Sequence, residues 1–211
     1  MGSEQGRRRY ESARRASQAE ETRRNIAAAV RRVFVAQGWA ALTIRDVARA
    51  GGVSVPTVYA TYGNKAGLVR ALADAAELLA DPERQSAELA EGSPRQQLAA
   101  MAGYDRRLFE RAGDVIAMVR EAGRAEPELA ALYADGRRRA DSTRVRVFEA
   151  WPDGSFRPGL DVPTAIDVYA ALCNIDVYTV LTAERGWTPD RVEQWWTEAL
   201  ARELLRLPDP S

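Results

Sequence analysis

Lys65 is the only lysine among the 30 basic residues of this chain, and it follows Asn64 near the end of "GGVSVPTVYATYGNKAGL", Gly51 to Leu68. Asparagine is a helix-capping residue type, so Lys65 falls at a predicted helix start. There an ammonium group and the free backbone N–H groups of the first turn converge on one anion. Lysine suits such a place as a compact point charge, whereas the planar fork of arginine needs more room. The chemistry on offer is the holding of an oxyanion. Covalent chemistry has little to work with. There is no histidine, the commonest general base and transition-metal ligand, and the single Cys173 has no internal partner. No Gly-rich phosphate loop, CxxC or HExxH pair occurs, so no catalytic residue, metal or cofactor is expected.

The formal net charge of zero conceals an asymmetry. Met1 to Lys65 holds 12 basic against 5 acidic residues, a net of +7, which leaves 18 against 25, a net of −7, in the remainder. A basic third of this kind is drawn to a polyanion, and it reads equally as a solvated basic face. With 211 residues, 46% of them hydrophobic, the chain has room for one large or two small domains. No apolar run approaches a membrane span of about 20 residues, and no apolar signal region opens the chain, so a soluble cytoplasmic protein without a membrane partner is expected.

Positioning falls to helices. Ala, Arg, Leu and Glu dominate, apolar residues recur at three and four spacings, and no alternating strand pattern persists, which predicts an all-α fold. Residues 1–17 read as a disordered basic arm carrying Arg7, Arg8, Arg9, Arg14 and Arg15, able to follow a nucleic-acid backbone or to act as a tag-like leader. A first helix over about 18–37 turns Ile26, Val30, Val33 and Phe34 to one side and stops at Gly38. Thr43, with Asp46 three residues on, opens a second helix that ends at Gly51-Gly52. Ser54 caps a third, with Pro56 in its first turn. Two short helices joined by a glycine turn form a helix-turn-helix, whose second helix can enter a DNA major groove.

The run Thr22 to Leu68, "TRRNIAAAVRRVFVAQGWAALTIRDVARAGGVSVPTVYATYGNKAGL", resembles the DNA-binding domain of the TetR family of transcriptional repressors. The resemblance is carried by Ile26, Ala29, Phe34, Gly38, Thr43, Val47-Ala48, Ala50-Gly51, Val53-Ser54, Thr57, Tyr59, Tyr62, Lys65 and Leu68. Ala27, Gly52, Thr61 and Tyr62 depart from the usual residues. The resemblance implies that Thr43, Thr57, Tyr59 and Lys65 hold phosphates, which fixes a protein on DNA without reading sequence. Ser54, Val55, Pro56, Ala60, Thr61 and Tyr62 complete the expected DNA-facing set, and Arg45 is the candidate to reach a guanine.

Beyond a fourth helix ending near Ala80, Ser93-Pro94 opens a helix through Tyr104 and Phe109. A further segment spans 113–124, and another helix runs from Pro127 to Trp151. "WPDGSFRPGLD" reads as a loop, followed by helices over 162–185 and 188–207. This order resembles the regulatory domain of the same family, which divides the chain into a helix-turn-helix domain over 18–65 and a ligand-binding and dimerisation domain over 66–211. The final helices carry wide apolar stripes, and the resemblance implies a two-fold dimer through Ile166, Tyr169, Val177, Val192, Trp195, Trp196, Leu200 and Leu204. By analogy with the family, Tyr104, Phe109, Met118, Glu121, Phe148, Asn174, Asp176 and Tyr178 line an effector cavity. Asn174 and Asp176 interrupt an apolar helix and need polar partners, and a bound ligand or an arginine can supply them.

The expected function is a homodimeric, ligand-responsive transcriptional regulator, a repressor, on double-stranded operator DNA, released by a small, mainly apolar effector. A small helical enzyme or carrier is the alternative, opposed by the missing histidine and motifs. A protein-interaction adaptor is another, and it leaves the basic third unexplained.

Overall fold

The computed structural model describes residues 2–78 and 80–206, with side chains from Ser17 onward apart from Glu77 and Leu78. The chain forms two compact units, Met1–Leu72 and Ala73–Ser211, so the division falls inside a helix rather than at residue 65.

In the first unit, α1 spans Gly2–Ala41. Its backbone is helical where a disordered arm was expected, because that stretch is rich in Glu, Gln, Arg and Ala and has no proline. The arm's arginine side chains lie outside those described. The helix breaks at Gly38, φ 72°, where the sequence placed its end. Ile26, Ala29, Val30, Val33 and Phe34 are buried along one face. Thr43 caps α2 (Ile44–Gly51): its Oγ1 accepts from the Asp46 N–H at 3.1 Å and its hydroxyl donates to Asp46 Oδ2 at 2.6 Å. Gly52, one of the departures noted above, occupies the left-handed region at φ 66° that ends α2, where glycine carries no Cβ penalty. Ser54 caps α3 (Val55–Tyr62) by accepting from the Thr57 N–H at 3.2 Å. Arg32 donates to the Ala50 carbonyl at 2.8 Å and ties α1 to α2.

The helix α4 runs Lys65–Leu78. A short helix that the sequence did not signal, α5 (Pro82–Ala90), follows on an Asp81 cap. In the second unit, α6 is continuous over Pro94–Ala122 and opens with a reciprocal Ser93–Gln96 capping box. Gly113 does not break it. A Cβ there would lie 3.0 Å from Ile175 Cδ1, so the missing side chain admits a neighbouring helix. The helix α7 covers Pro127–Glu149.

The stretch expected as one helix over 162–185 is three pieces. These are α8 (Val162–Leu172), α9 (Ile175–Thr179) and a π-helical turn, Val180–Glu184. Contrary to expectation, Val162–Glu184 is long and apolar enough by composition to cross a membrane, with mean hydropathy 1.3. The break at Cys173–Asn174 divides it, and Ala165, Tyr169, Cys173, Ile175 and Tyr178 are buried in the core of the unit. The last helix, α10, spans Pro189–Leu204; residue 207, its expected end, lies outside the described residues.

The apolar stripe of α10 was assigned to a partner copy, and the structure corrects most of that. Tyr169, Val192, Trp196, Leu200 and Leu204 are fully buried within the chain itself, because α10 packs its stripe on α6 and α8. Ile166, Val177 and Trp195 are half-buried and still face outward in part. Leu200→Ala is accordingly expected to lower unfolding stability by about 2–5 kcal/mol, against a much smaller loss for Ile166→Ala. Urea unfolding of the two variants measures this, and comparable losses would contradict the burial pattern.

Candidate functional site

In the first unit the expected DNA-facing residues share one property: none is buried. Thr43, Arg45, Ser54, Pro56, Tyr59, Ala60 and Thr61 are exposed, and Val55, Thr57, Tyr62 and Lys65 are half-buried. Val58, on the opposite side of α3, is fully buried and anchors the helix. Tyr59 is a large aromatic left 51% exposed, and its hydroxyl is free to reach outward. Thr61 donates to the Thr57 carbonyl at 2.8 Å, which turns its methyl group away from that bond. Half-burial pushes the Tyr62 phenol up, with Arg23 pulling the other way, so it stays a neutral phenol.

Asn64 caps α4 as expected, accepting from the Gly67 N–H at 2.7 Å. A Cβ on Gly67 would run into the Tyr62 carbonyl oxygen, so glycine is required for this tight entry into α4. The Lys65 ammonium donates to the Trp39 carbonyl at 2.6 Å and sits 3.7 Å above the centroid of the Trp39 ring. It is therefore a clasp between the end of α1 and the start of α4. Sequence reasoning found the helix start and missed the clasp, because Trp39 lies 26 residues away.

The second unit contains a cavity of about 140 Å³ between α6 and α7, closed by parts of α4 and α9 and by Cys173 in the break between α8 and α9. Of the expected ligand-binding residues only Phe109 lines it. Met118, Phe148 and Tyr178 are core, the last packed against Phe109 and Trp196 with ring centroids 5.9 and 6.2 Å away. Tyr104 is half-buried outside the lining, and Glu121 is exposed.

The polar pair on the apolar helix proves to be structural. Asn174 is the N-cap of α9, accepting from the Asp176 and Val177 N–H groups at 3.0 Å each and donating to the Ala170 and Ala171 carbonyls. Asp176 is 68% exposed and accepts from Arg120 at 2.6 and 2.7 Å. The internal arginine, not a ligand, is its partner.

The polar side chains on the lining are Asp74, Asp105, Tyr133, Arg137, Arg139 and Arg144, with Cys173 beside them; of the charged ones Asp74 and Arg139 are exposed, Arg137 is half-buried, and Asp105 and Arg144 are buried. Asp105 and Arg144 are each only 8% exposed in their side chains and are paired at 3.1 Å. Tyr169 donates to Asp105 Oδ2 at 2.9 Å, Arg144 also donates to Asp141 at 2.7 Å, and the Arg144 guanidinium lies 4.2 Å over the Tyr169 ring. Burial raises the Asp105 carboxyl, an effect opposed by Arg144 and Tyr169. Burial alone would lower Arg144, but the charges of Asp105, Tyr169 and Asp141 outweigh it and hold the guanidinium above its ordinary range. Burial likewise keeps the Tyr169 phenol and the Cys173 thiol protonated, both far above their usual values. A signal for the pair was present in the sequence. Asp105 falls on the Leu98, Met101, Ala102 face of α6, and Arg144 falls one turn before Val147 and Phe148.

Three comparisons bear on these two sites. The model for "Bacterial regulatory proteins, tetR family" matches residues 26–72. The HTH-type transcriptional regulator AlkX of Mycobacterium tuberculosis is 31% identical over 111 residues, 52% of each chain, so the match spans about half the length of that relative. Two solved structures are similar over nearly their whole length. One is a Saccharomonospora viridis chain, described as a transcriptional regulator and solved in complex with choline. It has a TM-score of 0.72 and 23% identity, over 89% of this chain and 100% of that one. The other is NalD, the secondary repressor of the MexAB-OprM multidrug efflux pump in Pseudomonas aeruginosa, with a TM-score of 0.70 and 22% identity, over 90% and 98%. At these identities the likeness shows the fold.

The geometry around Asn174 carries its own expectation. Asn174→Ala removes a cap and should cost about 0.5–2 kcal/mol, whereas Asp176→Asn weakens an exposed pair and should cost less than about 1 kcal/mol. Thermal or urea unfolding ranks the two, and the reverse order would contradict the assignment.

Proposed function

Because the chain belongs to the tetR family of bacterial regulatory proteins, we propose that it is a homodimeric transcriptional repressor that binds operator DNA and is released by a small, mainly apolar effector. The observation that carries this reading is the α2–turn–α3 unit, whose capped helices leave Arg45, Thr43, Tyr59 and the start of α4 outward on the basic third of the chain. Hydroxyls and the Lys65 ammonium there suit phosphates, and methyl groups of Val55, Ala60 and Thr61 suit thymine. Arg45 is the one exposed guanidinium in the set, placed to reach a guanine edge.

Dimerisation is assigned to the outward side of α8, α9 and α10, where Ile166, Val177 and Trp195 remain half-exposed and Val180 is exposed. Although the most apolar 18-residue window of Val162–Glu184 is strongly apolar, 28% of that window is buried within the chain, which leaves apolar surface for a second copy. Two copies then read two half-sites. Cytoplasmic location follows from the proposed partner, DNA.

The effector reading rests on the cavity and on α4. One continuous helix begins with Lys65 and supplies Ala73, Asp74 and Ala76 to the cavity lining. An effector that binds one position of α4 more tightly than another biases Lys65 along with it, and equal affinity for both positions would shift nothing.

Electrophoretic mobility with genomic fragments tests the reading, since an enzyme, carrier or adaptor would shift none of them specifically. On a bound fragment, Arg45→Ala is expected to cost about 1–3 kcal/mol and to relax preference at one symmetric pair of base positions. Lys65→Ala is expected to weaken all sequences alike and to lower the salt slope by about one unit. Equal losses on specific and random DNA for Arg45→Ala would remove it from base readout.

A further inference from the structure

The cavity has a distinct polar end, and its groups are unevenly satisfied. Asp105 Oδ2 takes the hydrogen bonds from Tyr169 and Arg144, while among the described residues its Oδ1 takes none. A carboxylate oxygen with no donor, on a side chain 8% exposed that lines the cavity, is an acceptor waiting for a ligand donor. Arg137 lies near enough to lower the Asp105 carboxyl by its charge, lines the same cavity and is half-buried. It has no hydrogen bond or ion pair among the described residues. Arg144, by contrast, already shares Asp105 and Asp141. A half-buried guanidinium without an anion, beside an apolar cavity, matches a ligand carboxylate.

The body of the cavity is set by Phe109, Ile116, Val119, Leu132 and Ile175. Its volume of about 140 Å³ is close to the engineered apolar cavity of about 150 Å³ that admits benzene, so it suits one six-membered ring with small substituents. Asp74 and Arg139, also on the lining, are exposed to solvent, whereas Arg137 is half-buried.

We propose that this cavity binds a single-ring hydroxyaryl carboxylate, with the carboxylate on Arg137, the ring among the apolar side chains, and the hydroxyl donating to Asp105 Oδ1. The inference deepens the effector-released reading above and rests on it for the consequence on DNA. Asp176 calls for no cationic ligand here, since that residue is outside the cavity and already paired.

Isothermal titration of the full chain with 4-hydroxybenzoate, 3-hydroxybenzoate, benzoate, methyl 4-hydroxybenzoate, phenol, benzylamine and choline tests it. One hydroxybenzoate is expected to bind best, with about tenfold loss for benzoate, which lacks the donor, and about tenfold for the methyl ester, which lacks the charge. Arg137→Gln, a change at a half-buried position that leaves the core intact, should abolish the advantage of the acid over its ester and leave phenol unchanged. Undiminished binding of the acid by Arg137→Gln, tighter binding of benzylamine or choline than of either acid, or no binding of any probe would overturn the proposal. Mobility shifts on the same preparation separate the two readings. A shifted fragment without acid binding sinks this inference alone, and acid binding without any shifted fragment sinks the regulator.

Discussion

A charge taken out of water costs several kcal/mol even after the protein relaxes, and that constraint organises the larger unit. Asp105 on α6 and Arg144 on α7 are buried among apolar side chains, and neither is tolerable there without the other. Tyr169 on α8 completes the set by donating to Asp105 and by lying beneath the Arg144 guanidinium. Three helices distant in sequence thereby meet at one polar point in an apolar interior. Hydrophobic burial brings α6, α7, α8 and α10 together, and the ion pair and the phenol hydrogen bond add directional ties among α6, α7 and α8. The cavity lies beside this polar point, with Asp105, Arg144 and Cys173 on its lining.

The break between α8 and α9 serves the same centre. A straight helix through Val162–Glu184 would direct Cys173 and Ile175 by the ordinary helical period. Cys173 instead leaves helical geometry, at φ −98° and ψ 77°, and Asn174 restarts the helix with four side-chain hydrogen bonds. Both Cys173 and Ile175 then face the cavity, and Ile175 reaches the open side of Gly113 on α6. The Arg120–Asp176 pair holds α9 to α6 from the solvent side, where it contributes orientation more than energy.

What the sequence made legible follows from the range over which each interaction acts. The caps Thr43, Ser54, Asn64 and Ser93 are decided by residues three positions away, and each appears where its pattern predicts. So do the left-handed glycines Gly38 and Gly52. The helix-turn-helix, built from such signals, could be read nearly residue by residue. The interior of the second unit could not. An apolar stripe announces burial but not what buries it, so Trp196, Leu200 and Leu204 read as interface and prove to be core. Asn174 read as a buried polar group in search of a partner because its role as a cap depends on a break that composition does not show. Asp105 and Arg144 did not stand out, although their helical phase placed them on buried faces, since charges are rarely buried without a partner and the partner lay 39 residues away.

The lone lysine joins the two scales. Its helix-start position is local, and its clasp on Trp39 is not. An ammonium held by a carbonyl at 2.6 Å and by the face of an indole has lost most of its rotamer freedom before any phosphate arrives. In the proposed complex the ordering cost of that contact is correspondingly small, which is the advantage of a preorganised donor. A longer, branched guanidinium at position 65 would have to satisfy more N–H groups than one carbonyl offers, and its plane would stack over the indole rather than point along the helix axis. The constraint that keeps lysine here is thus the geometry of Trp39 at the end of α1, acting together with the place of residue 65 at the start of α4.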